Sequence, residues 1–115
     1  MIPQLNPSDF AAWRDSAAAL PIVLDVREPW ELQTASVKEE GFTLLAIPMR
    51  EIPARLAELQ AMHGADHPVA CLCHHGMRSL QVANYLAQSG FGDVVNLQGG
   101  IDAWSQRVDT SVPRY

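Results

Sequence analysis

Two cysteines, Cys71 and Cys73, lie at the end of the apolar run Pro68–Cys73, which passes directly into His74-His75-Gly76-Met77-Arg78-Ser79. A cysteine at the carboxyl end of a strand, followed by a glycine-containing loop and a helix, meets three sources of positive potential. Loop N–H groups curling around the sulfur form an anion-binding nest. The unpaired N–H groups at the start of the following helix add partial positive charge. Arg78 brings a permanent cation with a planar fork of donors suited to oxyanions. All three favour thiolate over thiol, so Cys73 is predicted to be a nucleophile. Gly76 allows the tight turn with positive φ that such a loop needs. From His67 to Gly92, 26 residues, there is no Asp or Glu, and Arg78 is the one formal charge. That fits a site for an anion, because a nearby carboxylate would repel both thiolate and ligand. The competing reading is a buried structural cysteine, the ordinary fate of a free thiol; the loop that follows argues against it.

Other reactive residue types form weaker patterns. Cys71 sits inside the apolar run and reads as core packing, with a resolving thiol for Cys73 as the alternative. A disulfide between i and i+2 on one strand strains the permitted Cα separation, so free thiols in a reducing compartment are expected. Cys71, Cys73, His74 and His75, with His63 and His67 nearby, lack the second cysteine pair of a zinc site; no metal and no cofactor are expected. Asp25 and Arg27 close another strand and are expected to support the site by hydrogen bonds between loops. Trp13, Trp30 and Trp104 read as core or rim packing. Gly99-Gly100 reads as a turn, since no phosphate-loop motif surrounds it.

The elements that must hold these residues follow from periodicity. Pro21–Val26, Thr43–Ile47, Pro68–Cys73 and Val94–Leu97 read as buried strands, with a further edge strand near Gln4–Leu5. Helices are predicted at Phe10–Ala19, preceded by capping residues Asn6 to Asp9, and along the Ile52, Leu56, Leu59 stripe. Ser79–Gln88, closed by Gly90, and Gly100–Gln106 complete the set. Strands alternating with helices predict an α/β fold: a mostly parallel sheet of four or five strands, covered on both faces. Ligands in such folds bind beyond the carboxyl ends of the strands. The chain has 115 residues, enough for one domain spanning residues 1–115, and 48% of them are hydrophobic. With 8 Lys+Arg against 13 Asp+Glu the net charge is −5, which argues against nucleic acid or an anionic membrane as partner. The longest apolar run, Ala17–Leu24, is interrupted by Pro21 and is far short of a membrane span. The first residues show neither a basic nor an apolar signal region, so a cytoplasmic location is expected.

Three ordered motifs together resemble a known family, the single-domain rhodaneses, which are sulfurtransferases. Cys73-His-His-Gly-Met-Arg78-Ser79 is similar to that family's active-site loop. Leu24-Asp25-Val26-Arg27-Glu28, with Trp30-Glu31, is similar to its Asp-Val-Arg-Glu segment. Leu97-Gln98-Gly99-Gly100-Ile101-Asp102-Ala103-Trp104 is similar to its Leu-x-Gly-Gly-x-x-x-Trp segment, and Val112-Pro113-Arg114-Tyr115 is a familiar ending. One stretch departs: Ala35–Phe42 stands where the family has Gly-His-Ile-Pro-Gly-Ala, which leaves the geometry of residues 34–42, and partner choice with it, open.

The resemblance implies a rhodanese-like fold and sulfur transfer in two steps. Cys73 would take the outer sulfur of thiosulfate or a persulfide donor and pass it to a thiophilic acceptor, a small thiol or a protein. His74, His75, Gly76, Met77, Arg78 and Ser79 would form the substrate-binding loop. Arg78 would orient the donor's oxyanions or tighten the loop, and the two histidines and Met77 would line its mouth. The alternative is a persulfide carrier or regulatory module that docks a protein partner and turns thiosulfate over slowly. The six residues from Cys73 to Arg78 make a shorter loop than the Cys-x5-Arg of related phosphatases and arsenate reductases, so phosphate or arsenate chemistry is the weaker expectation.

Overall fold

The computed structural model describes residues 2–64 and 66–115, apart from the side chain of His63. Five strands form one sheet: β1 Gln4–Leu5, β2 Ile22–Asp25, β3 Thr43–Ala46, β4 Val69–Leu72 and β5 Val94–Leu97. Their order is β1-β5-β4-β2-β3, and every neighbouring pair is parallel. The expected α/β architecture and the short edge strand are therefore present. β1 and β5 match their expected bounds, and β2, β3 and β4 are each a residue or two shorter than their apolar runs. The helices are α1 Phe10–Ser16, α2 Pro29–Thr34, α3 Ile52–His63, α4 Met77–Gln88 and α5 Gly100–Arg107, with 3-10 turns at Pro7–Asp9 and Met49–Glu51.

Alternation along the strands sorts the core into two layers. Ile22, Leu24, Val69, Cys71 and Val94 meet Ile52 and Leu59 of α3 and Val82, Ala83 and Leu86 of α4. Val23, Ala70, Leu72, Val95 and Leu97 meet Phe10, Ile101, Trp104 and Val112. Both faces are covered, which is why β2 and β4 read as unbroken apolar runs rather than alternating ones.

Three elements differ from expectation. Helix α1 stops at Ser16, and Ala17 is extended with ψ 142°. The alanines that follow favour helix, but Pro21 disfavours helical backbone at Leu20, and the chain must turn there to enter β2. Helix α4 begins at Met77, two residues before the apolar pattern does, so Arg78 lies in its first turn. Helix α2 was not expected at all; it is a six-residue helix opened by Pro29 and by the Glu31 carboxylate accepting the Glu28 N–H at 2.9 Å. The expected turn from His63 to His67 includes Ala65 and the His63 side chain, which lie outside the described residues.

Strands β2 and β4 are neighbours, with Asp25 opposite Leu72. From β2 the chain adds β3 on one side, and from β4 it adds β5 on the other. The order thus reverses between β2 and β4, and their carboxyl ends border the crevice where such sheets bind ligands. The loops that leave these two ends are the Arg27 loop and the Cys73 loop. Among the described residues, no helix is long and apolar enough to cross a membrane.

Candidate active site

Cys73 follows β4 directly and is 1% exposed. The loop folds back on its sulfur: the Gly76 N–H donates to Cys73 Sγ at 3.1 Å, and Ser79 Oγ lies 3.3 Å from it. Gly76 has φ 99° and caps α4 in the left-handed region. A Cβ there would also press on the Gly99 nitrogen at 3.1 Å. Both demands select glycine.

The loop's carbonyls are held from the other side. Ile101 N–H donates to the Cys73 carbonyl at 2.8 Å and Asp102 N–H to the His74 carbonyl at 3.1 Å. These are otherwise unpaired donors at the start of α5. A trans peptide points its N–H opposite its C=O, so tying both carbonyls to α5 turns the His74 and His75 N–H groups away from that helix. Gly100 makes the approach feasible, since any Cβ there would strike the carbonyl oxygens of Cys73 and His74. The Gly99-Gly100 turn is thus also the floor under the cysteine loop.

Ser79 is buried and fixed by Asn96. Its Oγ donates to Asn96 Oδ1 at 2.6 Å, while Asn96 Nδ2 donates to Gln4 Oε1 at 3.0 Å and to the Gly76 carbonyl at 3.1 Å. With both amide hydrogens committed, the amide oxygen faces Ser79. A single hydroxyl proton cannot serve Asn96 and Cys73 together. The Ser79 hydroxyl thus stands within reach of both the amide oxygen and the sulfur and can donate to one of them at a time.

The surroundings of Arg78 correct the expectation of an acid-free site. Its Nη1 and Nη2 both reach the Glu31 carboxylate, each at 2.8 Å. Glu31 is 3% exposed. The paired guanidinium holds its carboxyl down at about 2, helped by the Glu28 N–H and the Tyr115 hydroxyl and opposed by burial. Arg78 in turn is stabilised further in its charged form, chiefly by Glu31. A cation in the first turn of a helix opposes the helix's own positive end, and Glu31 offsets that. Arg78 is a tied cation at the rim, and an open cleft of about 460 Å³ beside it is lined by Val26, Glu28, Met49, Arg50, Pro53 and Arg78.

Asp25 and Arg27, both 0% exposed, form a second fork: Nε to Oδ1 at 2.9 Å and Nη2 to Oδ2 at 2.7 Å. Arg27 also donates to the carbonyls of Ala35, at 2.8 Å, and Glu31, at 3.3 Å, and to Tyr115 Oη at 3.0 Å. These bonds tie residues 31, 35 and 115 together behind the cysteine loop. Ala35, Val37 and Phe42 are buried, so the segment that departs from the family pattern is anchored at three points.

The loop's remaining side chains form its mouth. The His74 ring stacks on Tyr115, with centroids 3.8 Å apart and an 8° angle, and His75 stacks on His74 at 3.9 Å. Met77 and Trp30 are 71% and 63% exposed at this end of the molecule; Trp30 sets its ring edge-on to Tyr115 at 6.2 Å. Cys71 lies wholly buried in β4, and burial pushes its thiol up to about 12. Among the described residues, no three His, Cys, Asp or Glu side chains gather as a metal site.

Of the expected loop residues, Gly76 and Ser79 reach the Cys73 sulfur, while Arg78 turns to Glu31, His74 stacks on Tyr115 and His75 on His74, and Met77 stands in solvent; Asp25 and Arg27 pair behind the loop. Sequence reading missed Glu31, Asn96, Gly100 and Tyr115 as parts of this assembly. Glu31 had a local signal, the Pro-x-Glu start of a helix, and Asn96 had another, an amide inside the apolar run Val-Val-Asn-Leu.

The family model of the rhodanese-like domain matches residues 6–107. The chain is 36% identical over 85 residues to a sulfurtransferase of Allochromatium vinosum, covering 74% of this chain and 72% of that protein. It is 30% identical over 93 residues to the thiosulfate sulfurtransferase GlpE of Pseudoalteromonas translucida, with 81% of each covered. The rhodanese-like/PpiC domain-containing protein 12 of Arabidopsis thaliana is 39% identical over 93 residues, and the matched segment spans 30% of that longer protein. Among solved structures, a rhodanese-related protein of Thermoplasma volcanium superposes with a TM-score of 0.72 at 29% identity, over 92% of this chain and 93% of that one. By motif, topology and match, the chain belongs to the rhodanese-like family, whose sulfurtransferases are among its relatives.

Proposed function

We propose that Cys73 carries sulfane sulfur between a small anionic donor, thiosulfate or a persulfide, and a thiophilic acceptor. The observation that carries this reading is the sulfur's own environment: a buried Cys73 Sγ with the Gly76 N–H donating at 3.1 Å and the Ser79 hydroxyl within reach at 3.3 Å. Such donors stabilise negative charge on sulfur, both on the attacking thiolate and on the terminal sulfur of a persulfide. In the first step the Cys73 thiolate attacks the outer sulfur of thiosulfate. A new S–S bond forms, the bond to the sulfonate sulfur breaks, and sulfite departs with its electron pair. In the second step the acceptor attacks the outer sulfur, and Cys73 leaves as thiolate. Sulfite leaves in the first step and a thiolate facing hydrogen-bond donors leaves in the second, so neither step needs a general acid. The carboxylates of Asp25 and Glu31 are each occupied by an arginine. The N–H groups of His74 and His75, turned from α5, and the start of α4 supply further partial positive charge. Arg78 serves as the cation at the rim.

A second reading, a carrier serving a protein partner, draws support from Met77 and Trp30, two large apolar side chains left in solvent beside the loop. One experiment addresses both. The protein and Cys73→Ser are incubated separately with thiosulfate, cyanide plus thiosulfate, arsenate and an aryl phosphate. The expected result is a gain of one sulfur atom in intact mass and thiocyanate formation, both absent in Cys73→Ser. Sulfur uptake without thiocyanate turnover favours the carrier. Hydrolysis of the aryl phosphate, or arsenate reduction, with no sulfur uptake overturns the proposal.

A further inference from the structure

We propose that Tyr115 is a positioning residue for the cysteine loop, holding Arg78 through Glu31 and holding His74 through its ring and backbone. The proposal builds on the reading of Cys73 as the sulfur carrier.

Two independent sets of contacts converge on this one residue. Behind the loop, the Tyr115 hydroxyl accepts from Arg27 Nη1 at 3.0 Å and donates to Glu31 Oε1 at 2.9 Å. Glu31 Oε1 is the same oxygen that receives Arg78 Nη2. The hydroxyl therefore couples the fixed Asp25–Arg27 pair to the Glu31–Arg78 pair. Burial raises the phenol above its ordinary range, so it remains a donor to the carboxylate. In front of the loop, the Tyr115 ring lies flat on His74, and His74 Nε2 meets the Tyr115 backbone oxygen at 2.8 Å. That backbone oxygen only accepts, so Nε2 carries the hydrogen, and a neutral His74 is held as the Nε2–H tautomer. Residue 112 anchors the segment, with Val112 buried and its carbonyl receiving the Ser105 hydroxyl. Tyr115 touches neither Gly76 nor Ser79, the donors on the sulfur itself. Its influence falls on the rim cation and on the residue after the nucleophile.

This division gives a kinetic signature. Removing the hydroxyl releases one constraint on the Glu31–Arg78 fork while leaving the sulfur's donors in place. Tyr115→Phe is expected to raise KM for thiosulfate about tenfold, the scale of one hydrogen bond to a charged group, with kcat within about twofold. Side-chain NMR supplies readouts that need no sulfur chemistry. Separately resolved Arg78 Nη–H signals in the native protein should average in Tyr115→Phe. The His74 imidazole nitrogens should report the Nε2–H tautomer in both, and mixed tautomers only in Tyr115→Ala. Native KM and native Arg78 signals in Tyr115→Phe overturn the proposal, as does a parallel fall of kcat and kcat/KM caused by loss of folded protein. If the native protein takes up no sulfur, the functional reading fails, and the Arg78 and His74 signals still decide the role of Tyr115.

Discussion

Glu31 offers the sharpest test of how the site is held, because its effect on stability has a defined sign in pH. In the folded protein its carboxyl is lowered from 4.5 to about 2, first by the fork from Arg78. A carboxylate whose folded value lies below its unfolded one stabilises the fold fully above the unfolded value. That contribution is then lost as pH falls toward the folded value. The window here runs from about pH 4.5 down to about 2. A depression of this size corresponds to about 3 kcal/mol. Glu31→Gln keeps the volume and one acceptor, and Arg78, 37% exposed in its side chain, can regain some water. The expected loss is therefore about 2–3 kcal/mol near neutral pH, a large share of a small domain's stability. Urea unfolding of both proteins across this range measures it. The gap between native and variant should be full near neutrality and narrow steadily below about pH 4.5, with equal denaturant slopes. A gap that stays constant through this window would show that Glu31 acts by shape and neutral hydrogen bonding alone. Absence of any gap at neutral pH would refute the ion-pair account altogether.

Two further substitutions probe the floor and the donors. Gly100→Ala places a methyl against the carbonyls of Cys73 and His74 at a residue with φ 62°; backbone cannot yield as a side chain does. A loss of at least about 2 kcal/mol in thermal unfolding, with sulfur transfer greatly reduced, is expected; native behaviour would mean that the α5 start does not brace the loop. Ser79→Ala removes a donor from Cys73 Sγ and leaves Asn96 Oδ1 without its partner. Thiocyanate formation should fall by about tenfold or more, with about 1–3 kcal/mol lost from stability. Unchanged turnover would assign Ser79 to packing.

Legibility in the sequence followed distance along the chain. The cysteine loop was readable because its parts are contiguous: strand end, glycine, arginine and helix start fall within residues 73–79, and local physics links them. The central strands β2, β4 and β5 were readable because burial on both faces leaves short apolar runs. Helix α2 escaped because six residues span less than two turns and show no periodicity; its Pro29 and Glu31 start was the available signal. Helix α1 was overextended because alanine propensity at Ala17–Ala19 lost to the turn that delivers Pro21 to β2. The partners of Arg78, Arg27 and Ser79 escaped for a different reason. Glu31 is 47 positions from Arg78, Tyr115 is 88 from Arg27, and Asn96 is 17 from Ser79. The first and last of these pairings are made by sheet order, which brings β2, β4 and β5 side by side, and the second by the tail that follows α5; no local pattern encodes either.

The same point changes what the charge distribution means. The acid-free stretch from His67 to Gly92 predicts a site in which Arg78 stands as an open positive charge. The fold instead brings Asp25 and Glu31 to the loop from the end of β2, each already matched to an arginine at 2.7 to 2.8 Å. Two neutral pairs result, and they act as braces. What remains aimed at Cys73 is a set of oriented dipoles: the Gly76 N–H, the Ser79 hydroxyl, and the first turn of α4. The Gly76 N–H and the first turn of α4 are fixed by the fold and need no reorganisation when sulfur becomes negative, while the Ser79 hydroxyl needs only to rotate; such dipoles act over short distances. The Asp25–Arg27 pair behind the loop, the Glu31–Arg78 pair at its rim and the dipoles facing the sulfur divide the work. The arginines set where the loop sits, and the amides set what charge its sulfur tolerates. The absence of acids along residues 67–92 then has a narrower cause than general positive potential: any carboxylate within the loop itself would compete for the same few N–H groups that must serve the sulfur.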